Sequence, residues 1–297
     1  MAKPIVKWAG GKSRLLGELL GRVPQDVRTY VEPFAGGAAL FFAVASDAKS
    51  GARKMKRALL VDKNAELVAC YNAVKRDVES VIKNLRSYRY DRDLFYEARA
   101  KNGAMLPDAE RAARFLFLNR TCFNGLWRVN SRGQFNVPFG RYENPRICDE
   151  EGLKAASRAL AIADIRLGDF SCVTRRLGPR DFVYFDPPYV PLTKTARFTS
   201  YVAEGFGAHD QVRLANELSA LRDRGVCAML SNADTPQSRA LYKEFAVHVV
   251  SAPRFINSNP AKRGAVGELI VTTWERPGLY EKLNGCSKEL SAKPCTT

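Results

Sequence analysis

"TYVEPFAGGAALFFAVAS", residues 29–46, joins three local signals without a break. Thr29, Tyr30 and Val31 are β-branched or aromatic, the composition of a buried strand. Gly36 and Gly37 then permit a tight turn and a close backbone approach to a ligand at a helix N-terminus, although a plain turn is the commoner use of such a pair. From Ala38 the run is apolar and helical. The turn is neither a G-x-G-x-x-G fingerprint nor a phosphate loop, and Lys12 in "AGGKS" lacks the G-x-x-x-x-G-K spacing.

Moving outward, "RALLVDKNAELVACYNAV" (57–74) repeats the plan, with a strand to Val61, an acid at Asp62 and a helix starting near Asn64. An acid at that strand end can accept hydrogen bonds from both hydroxyls of a ribose. "IRLGDF" (165–170) predicts another strand, after which Asp169 can meet the amino edge of an adenine and Phe170 its face. Each acid taken singly reads as well as a helix cap. With the glycine turn they outline a pocket for an adenosine-containing ligand.

"FVYFDPPY" (182–189) predicts a buried strand that Pro187 and Pro188 stop, since neither has an N–H for a ladder. Asp186 is left at the carboxyl end, where open α/β sheets bind ligands. A bare Asp-Pro-Pro fits a simple strand-to-loop corner equally well. "DQVRLANELSALRDRG" (210–225) predicts a helix with apolar residues at 212, 214, 218 and 221 and a stop at Gly225. "VCAMLSNADT" (226–235) predicts a strand, followed by Pro236 at a helix N1 position, and "AVHVVS" and "GELIVTTWER" complete the sheet. Strands alternating with helices make an α/β class with both sheet faces covered.

The middle of the chain breaks that rhythm. Asp91–Lys101 and Asp108–Leu118 have helical apolar spacing, with Pro107 as a helix start. Residues 115–147 carry five Arg, one acid (Glu143) and seven aromatics: Phe115, Phe117, Phe123, Trp127, Phe135, Phe139 and Tyr142. Basic groups neutralise phosphates and an exposed aromatic can wedge into a displaced base step, whereas Phe115 and Phe117 on the helix read as core. The expected organisation is a catalytic domain of residues 1–72 and 164–275, an inserted recognition subdomain over 73–163, and a loosely attached tail over 276–297.

The chain has 297 residues, 46% hydrophobic and 26% charged, and 47 Lys and Arg against 31 Asp and Glu give a net charge of +16. Such a field draws polyanions or anionic surfaces and does not by itself choose between them. No apolar run of about 18 residues occurs, and "MAKPIVKWAGGKS" has no apolar core of a signal peptide, so a cytoplasmic protein is expected. Seven scattered cysteines without a C-x-x-C pair suggest reduced thiols. His209 and His248, the only histidines, argue against a His-rich zinc site and a Ser–His–Asp triad. His248 reads as a strand residue, and no metal is expected.

In their order, "KWAGGKS", "VEPFAGG", "VDKN", "NRTCFNGLWRVNSRGQFNVPFGRY", "DPPY", "FTSY" and "LSNADT" resemble the Dam-type DNA adenine-N6 methyltransferases over about residues 3–275. The resemblance implies a Rossmann-like S-adenosylmethionine-dependent methyltransferase sheet with an inserted, mostly helical DNA-recognition subdomain. It implies that Phe34, Gly36, Gly37 and Asp62 hold S-adenosylmethionine, with Trp8, Lys12 and Asp186 near its methionine end and Asp169 and Phe170 at its adenine. Asp186, Pro187, Pro188 and Tyr189 become the catalytic corner. The carboxylate and the Pro187 carbonyl accept the two hydrogens of adenine N6, and Tyr189 stacks on a base that has left the duplex.

By the same resemblance Phe123 intercalates, Asn124 contacts a phosphate, Arg128 reads a guanine, Leu126 and Pro138 meet a thymine methyl, and Lys7 meets the outer guanine. Asn130 and Arg141 complete the DNA-binding set. The implied target is GATC in double-stranded DNA, read by a monomer in a bacterial cell or phage-infected host. Trp127 stands where some relatives are basic, a change expected to alter phosphate grip. The family's last turn glycine is Ala38 here, which Gly37 absorbs or which reshapes the turn. Two other readings stay open: a non-enzymatic DNA-binding relative, supported only by Ala38, and an amino methyltransferase acting on RNA or a protein glutamine, which "DPPY" permits.

Overall fold

The computed structural model describes residues 2–12, 14–172, 174–189, 206–252 and 266–274. "FTSY" (198–201) and the expected tail over 276–297 lie outside them. The strands are β1 (Asp26–Glu32), β2 (Lys54–Asp62), β3 (Ala163–Leu167), β4 (Asp181–Phe185), β5 (Cys227–Ala233), β6 (Ala246–Ala252) and β7 (Val266–Thr272). They form one sheet in the order β3-β2-β1-β4-β5-β7-β6. β1 to β5 pair in parallel, and β7 runs antiparallel between β5 and β6.

Chain order runs outward from β1 to β3, then jumps back to β4 on the other side of β1. The carboxyl ends of β1 and β4 therefore meet at a topological switch point, where such sheets bind ligands. Glu32 ends β1, Asp62 ends β2, and Asp186 follows β4 by one residue. Asp62, Asp169 (two residues beyond β3) and Asp186, the acids singled out in the sequence, thus stand along the carboxyl edge of the sheet, joined there by Glu32.

Alternation along the strands sends successive side chains to opposite faces. Tyr30, Phe182, Tyr184, Met229 and Ile270 face one core, with Phe41, Phe42, Phe115 and Phe117. Val31, Val183, Phe185, Leu230, Leu269 and Val271 face the other, under Leu214, Leu218 and Leu221. Both faces are covered, which is why these strands read as continuous apolar runs.

The first core is closed by α1 (Leu16–Arg22), α2 (Ala39–Ser50), α3 (Ala65–Arg76), α4 (Val78–Leu85), α5 (Arg92–Ala100), α6 (Asp108–Thr121) and α7 (Glu150–Leu160). The second lies under α8 (Ala208–Asp223), and α9 (Pro236–Leu241) follows β5. Short polar side chains start several helices: Asn64 accepts from the N–H of Glu66 and Leu67, Asp77 from Ser80, and Asp91 from Leu94. Pro236 stands in the first turn of α9 behind the Thr235 cap, as its position in sequence predicts. On α8 the prediction misses one position. Val212 is half exposed, because the inward face is set by 211, 214, 218 and 221 and position 212 lies off it.

Ala38 resolves the question its identity raised. It precedes α2 at φ 51°, ψ 37°, in the left-handed region, and is buried. Gly37 does not take the strain over, since positive φ falls on Gly36 and Ala38. Ala38→Gly is expected to stabilise the protein by about 1 kcal/mol, read as a higher urea midpoint at unchanged slope. A lower midpoint would show that the methyl group's packing outweighs the backbone strain.

Candidate active site and nucleic-acid interface

β4 carries Asp186 out of the core on an apolar strand, and the following prolines fix its loop. Asp186 is 21% exposed, and its Oδ1 lies 2.8 Å from the Nζ of Lys12, a lysine only 6% exposed. The same ammonium donates to the Gly10 carbonyl at 3.0 Å and sits 4.7 Å from the Tyr189 ring centroid. The Tyr189 hydroxyl donates to Oε2 of Glu268 on β7 at 3.0 Å. The corner thus offers an anionic acceptor beside an aromatic face, with an N–H donor already seated on both. The resemblance places Lys12 at the methionine end of a cofactor; here its ammonium rests on the carboxylate.

Burial pushes the Asp186 carboxyl above the usual carboxylate range, the Lys12 ammonium pulls it back, and Glu268 pushes it up again. Glu32 stands nearby and is driven to about 8 by burial, which the Tyr30 hydroxyl opposes and the Asp186 charge reinforces. Tyr30 Oη donates to Glu32 Oε2 at 2.8 Å. Tyr184, whose ionisation is also suppressed by burial and then by Asp186, bonds Ser231 at 2.9 Å.

A pH prediction follows for any chemistry that needs ionised Asp186. Removing the cation with Lys12→Met raises the Asp186 pKa further, so the acid limb of the rate profile moves to higher pH. A profile whose acid limb stays in place would separate Lys12 from the ionisation of Asp186.

The glycine turn lies beside this corner. Gly36 has φ +44°, and a Cβ added there would meet Trp8 Cδ1 at 2.7 Å. Its N–H donates to Asp62 Oδ2 at 2.9 Å, and its carbonyl accepts from the Tyr71 hydroxyl at 2.7 Å. Asp62 Oδ1 accepts from Asn64 N–H at 2.8 Å. Asp62 makes no ion pair among the described residues, and its remaining acceptor capacity suits a ribose hydroxyl.

At the far end Asp169 is held by Lys63 at 2.9 Å, Arg213 at 2.9 Å, and the N–H and hydroxyl of Ser171. Burial opposes its charge, but Lys63 and Ser171 overcome it and hold the carboxyl at about 2. Phe170 is buried; Phe34 stacks on it at 5.4 Å and the Arg213 guanidinium covers it at 4.8 Å. The ring that was expected to press on an adenine is therefore already in contact with two neighbours.

The aromatic-basic block forms an irregular hairpin, with isolated bridges Cys122–Phe139 and Val129–Phe135. At its base Phe123 is 49% exposed, the one exposed large ring of the block among the described residues. Asn124 follows in the left-handed region at φ 55°, exposed, with Pro138 and Arg141 also at the surface. Gly125 has φ +63°, and a Cβ there would meet Lys7 Cβ at 2.6 Å. Asn119, buried in α6, ties this turn to the N-terminal segment: it accepts from Lys7 N–H and donates to the Lys7 and Gly125 carbonyls.

Leu126 is half buried, and Arg128 Nε donates to Asn136 Oδ1 at 2.8 Å. Asn130 closes the hairpin tip, its Oδ1 accepting from Arg132 and Gln134 N–H at 3.0 Å each. Trp127 corrects an expectation. It is 2% exposed and packs on Phe115 at 4.2 Å and Phe135 at 4.5 Å, so the side chain belongs to the core and does not itself present a group to a phosphate.

The residues that sequence reasoning missed are Glu268, Glu32, Arg213 and Asn119. Only Asn119 had a usable signal, as the first residue of the quoted block. Among the described residues, no group of three or more His, Cys, Asp or Glu is placed to hold a metal, and no helix is long and apolar enough to cross a membrane.

Comparison with known proteins agrees with this arrangement. The chain is 39% identical over 280 residues to "Type II methyltransferase M1.LlaDCHI" of Lactococcus lactis subsp. cremoris, covering 92% of this chain and 95% of that one. It is 39% identical over 291 residues to "Type II methyltransferase M.MjaIII" of Methanocaldococcus jannaschii, covering 92% and 99%. "DNA adenine methylase" of Escherichia coli K12 is 34% identical over 272 residues, covering 90% and 94%. The family model described as D12 class N6 adenine-specific DNA methyltransferase matches residues 8–256, which take in the Trp8 strap, the glycine turn, the hairpin and the Asp186 corner. By sequence, this chain belongs to the D12 class of N6 adenine-specific DNA methyltransferases.

Proposed function

We propose that the chain, acting as a monomer in the cytoplasm, transfers the methyl group of S-adenosylmethionine to adenine N6 within GATC of double-stranded DNA, after the base has swung out of the helix. One observation carries the reading: Asp186 already accepts a hydrogen bond from a nitrogen cation poised over the Tyr189 ring. Those are the two contacts a stacked adenine with an exocyclic amine requires.

The adenine N6 lone pair is delocalised into its ring and is a poor nucleophile. Asp186 accepts one N6–H and the Pro187 carbonyl the other, which localises the lone pair and stabilises positive charge growing at nitrogen. Tyr189 supplies the stacking face. Proline stiffness keeps both acceptors in place, so they need no reorganisation during reaction.

The residues support the proposed cofactor: Asp62 for the ribose, Gly36 and Gly37 for close backbone approach, Trp8 and Lys12 toward the methionine end, and Phe34, Asp169 and Phe170 toward the adenine once Arg213 moves off Asp169 and the Phe170 ring. Bound there, the sulfonium supplies an electrophilic methyl group. Lys12 must then release Asp186 to the incoming base.

Residues 73–163 serve as the DNA-reading part. Phe123 wedges into the helix, Asn124 and Arg141 hold phosphates, and Arg128 reads a guanine with Leu126 and Pro138 on the thymine methyl. Lys7 takes the outer guanine, and Asn130 supports the set by shaping the hairpin tip.

Methyl transfer from labelled donor across a panel of four-base sites tests the proposal. Label confined to GATC duplexes is expected; equal label in duplexes without GATC rejects the specificity. Arg128→Ala is expected to lower discrimination at one guanine by about 1–3 kcal/mol. If it weakens every sequence alike, Arg128 is a phosphate contact.

A further inference from the structure

The proposal here concerns the floor of the base pocket, and it rests on the reading of Asp186–Tyr189 as the target-base corner. We propose that Glu268 is a positioning residue that holds the Tyr189 ring in the stacking orientation while Lys12 leaves it and the extruded base arrives. The Tyr189 hydroxyl donates to Glu268 Oε2 at 3.0 Å across 79 positions of sequence.

Glu268 is well suited to anchor. It lies in β7, paired with Ala233 of β5 on one side and Val250 of β6 on the other, so its backbone cannot shift with the loop. It is 8% exposed, makes no ion pair among the described residues, and the bond from Tyr189 is its one side-chain hydrogen bond there. A second carboxyl group beside Asp186 is otherwise unfavourable, since it opposes ionisation of Asp186. Holding the phenol gives that carboxylate a use.

The contacts of the ring have different fates. Lys12 lies over its face, at 4.7 Å from the centroid, and an arriving base needs that face. Glu268 grips the hydroxyl at the ring's edge, which the base does not need. When the cation departs, the edge contact keeps the plate aligned. Misalignment acts on the extruded base, after the duplex is bound, so its effect falls on kcat more than on KM.

The test uses the full-length protein with GATC duplex and labelled donor. Glu268→Ala and Tyr189→Phe are each expected to lower kcat about tenfold while KM for DNA stays within about twofold. Glu268→Gln, whose amide oxygen still accepts the phenol, is expected to restore most of the loss. The double variant Tyr189→Phe/Glu268→Ala is expected to be no worse than either single change, as for two ends of one bond.

Wild-type kcat in Glu268→Ala, or multiplying losses in the double variant, overturns the proposal while leaving the corner intact. Should Glu268→Ala fold poorly, Tyr189→Phe decides alone: it removes one oxygen from a loop, and unchanged kcat overturns the proposal. A wild-type protein that labels no DNA overturns the underlying reading, and this proposal with it.

Discussion

Asp186→Asn protein is expected to bind cofactor and duplex DNA with near wild-type affinity and to transfer methyl groups at about a thousandth of the wild-type rate. The two side chains have the same shape, so the rigid corner and its proline loop remain. What changes is the field at the amine. A neutral amide accepts a hydrogen bond but offers no charge against the positive nitrogen forming in the transition state, where stabilisation counts. Rapid-quench single turnover at saturating donor and DNA reads the chemical step, with binding constants taken separately. A rate within about tenfold of wild type, about 1.4 kcal/mol, would remove Asp186 from the chemistry.

The second large effect is expected at Gly36. Its φ of +44° lies in the left-handed region, and a methyl group there would stand 2.7 Å from Trp8 Cδ1. Gly36→Ala therefore combines backbone strain with overpacking against a rigid indole, for about 2–4 kcal/mol of lost stability. The turn's bonds to Asp62 and Tyr71 would loosen with it, since both are made by the Gly36 backbone at 2.9 and 2.7 Å. Cofactor affinity is expected to fall along with the urea midpoint. Unchanged stability and affinity would mean that Trp8 swings aside freely, and that the strap over the turn is no part of the pocket.

What local pattern encodes was legible before the structure. Strand ends at Asp62 (one residue past the expected Val61) and Phe185 follow from apolar runs stopped by an acid or by proline, and the helix starts at Asn64 and Pro236 follow from capping chemistry. The placement of Asp62 and Asp186 at strand carboxyl ends was legible too, whereas the switch point between β1 and β4 came only with the strand order. Contacts between distant segments left no such trace. Glu268 is one acid in the run "GELIVTT", and nothing in its period tells that its carboxylate reaches the Tyr189 hydroxyl.

Lys12 and Asp186 are similarly remote in sequence, and only the fold brings them to 2.8 Å, with Trp8 packed over Gly36 nearby. Trp127 was misread for a related reason. The resemblance placed it where some relatives are basic, whereas the hairpin turns that side chain inward between Phe115 and Phe135. The block's chemistry was readable, but the direction of each ring depended on two isolated bridges and one buried asparagine.

The most direct measurement is a crystal structure of the protein with a GATC duplex and a non-reactive analogue of the methyl donor, read for the distance from adenine N6 to the Asp186 carboxylate. The account predicts N6 within about 3.2 Å of an Asp186 oxygen, the base lying on Tyr189 and the Lys12 ammonium displaced from the carboxylate. An extruded adenine whose amine makes no contact with Asp186, or a Lys12–Asp186 pair still closed beneath a bound base, would contradict it.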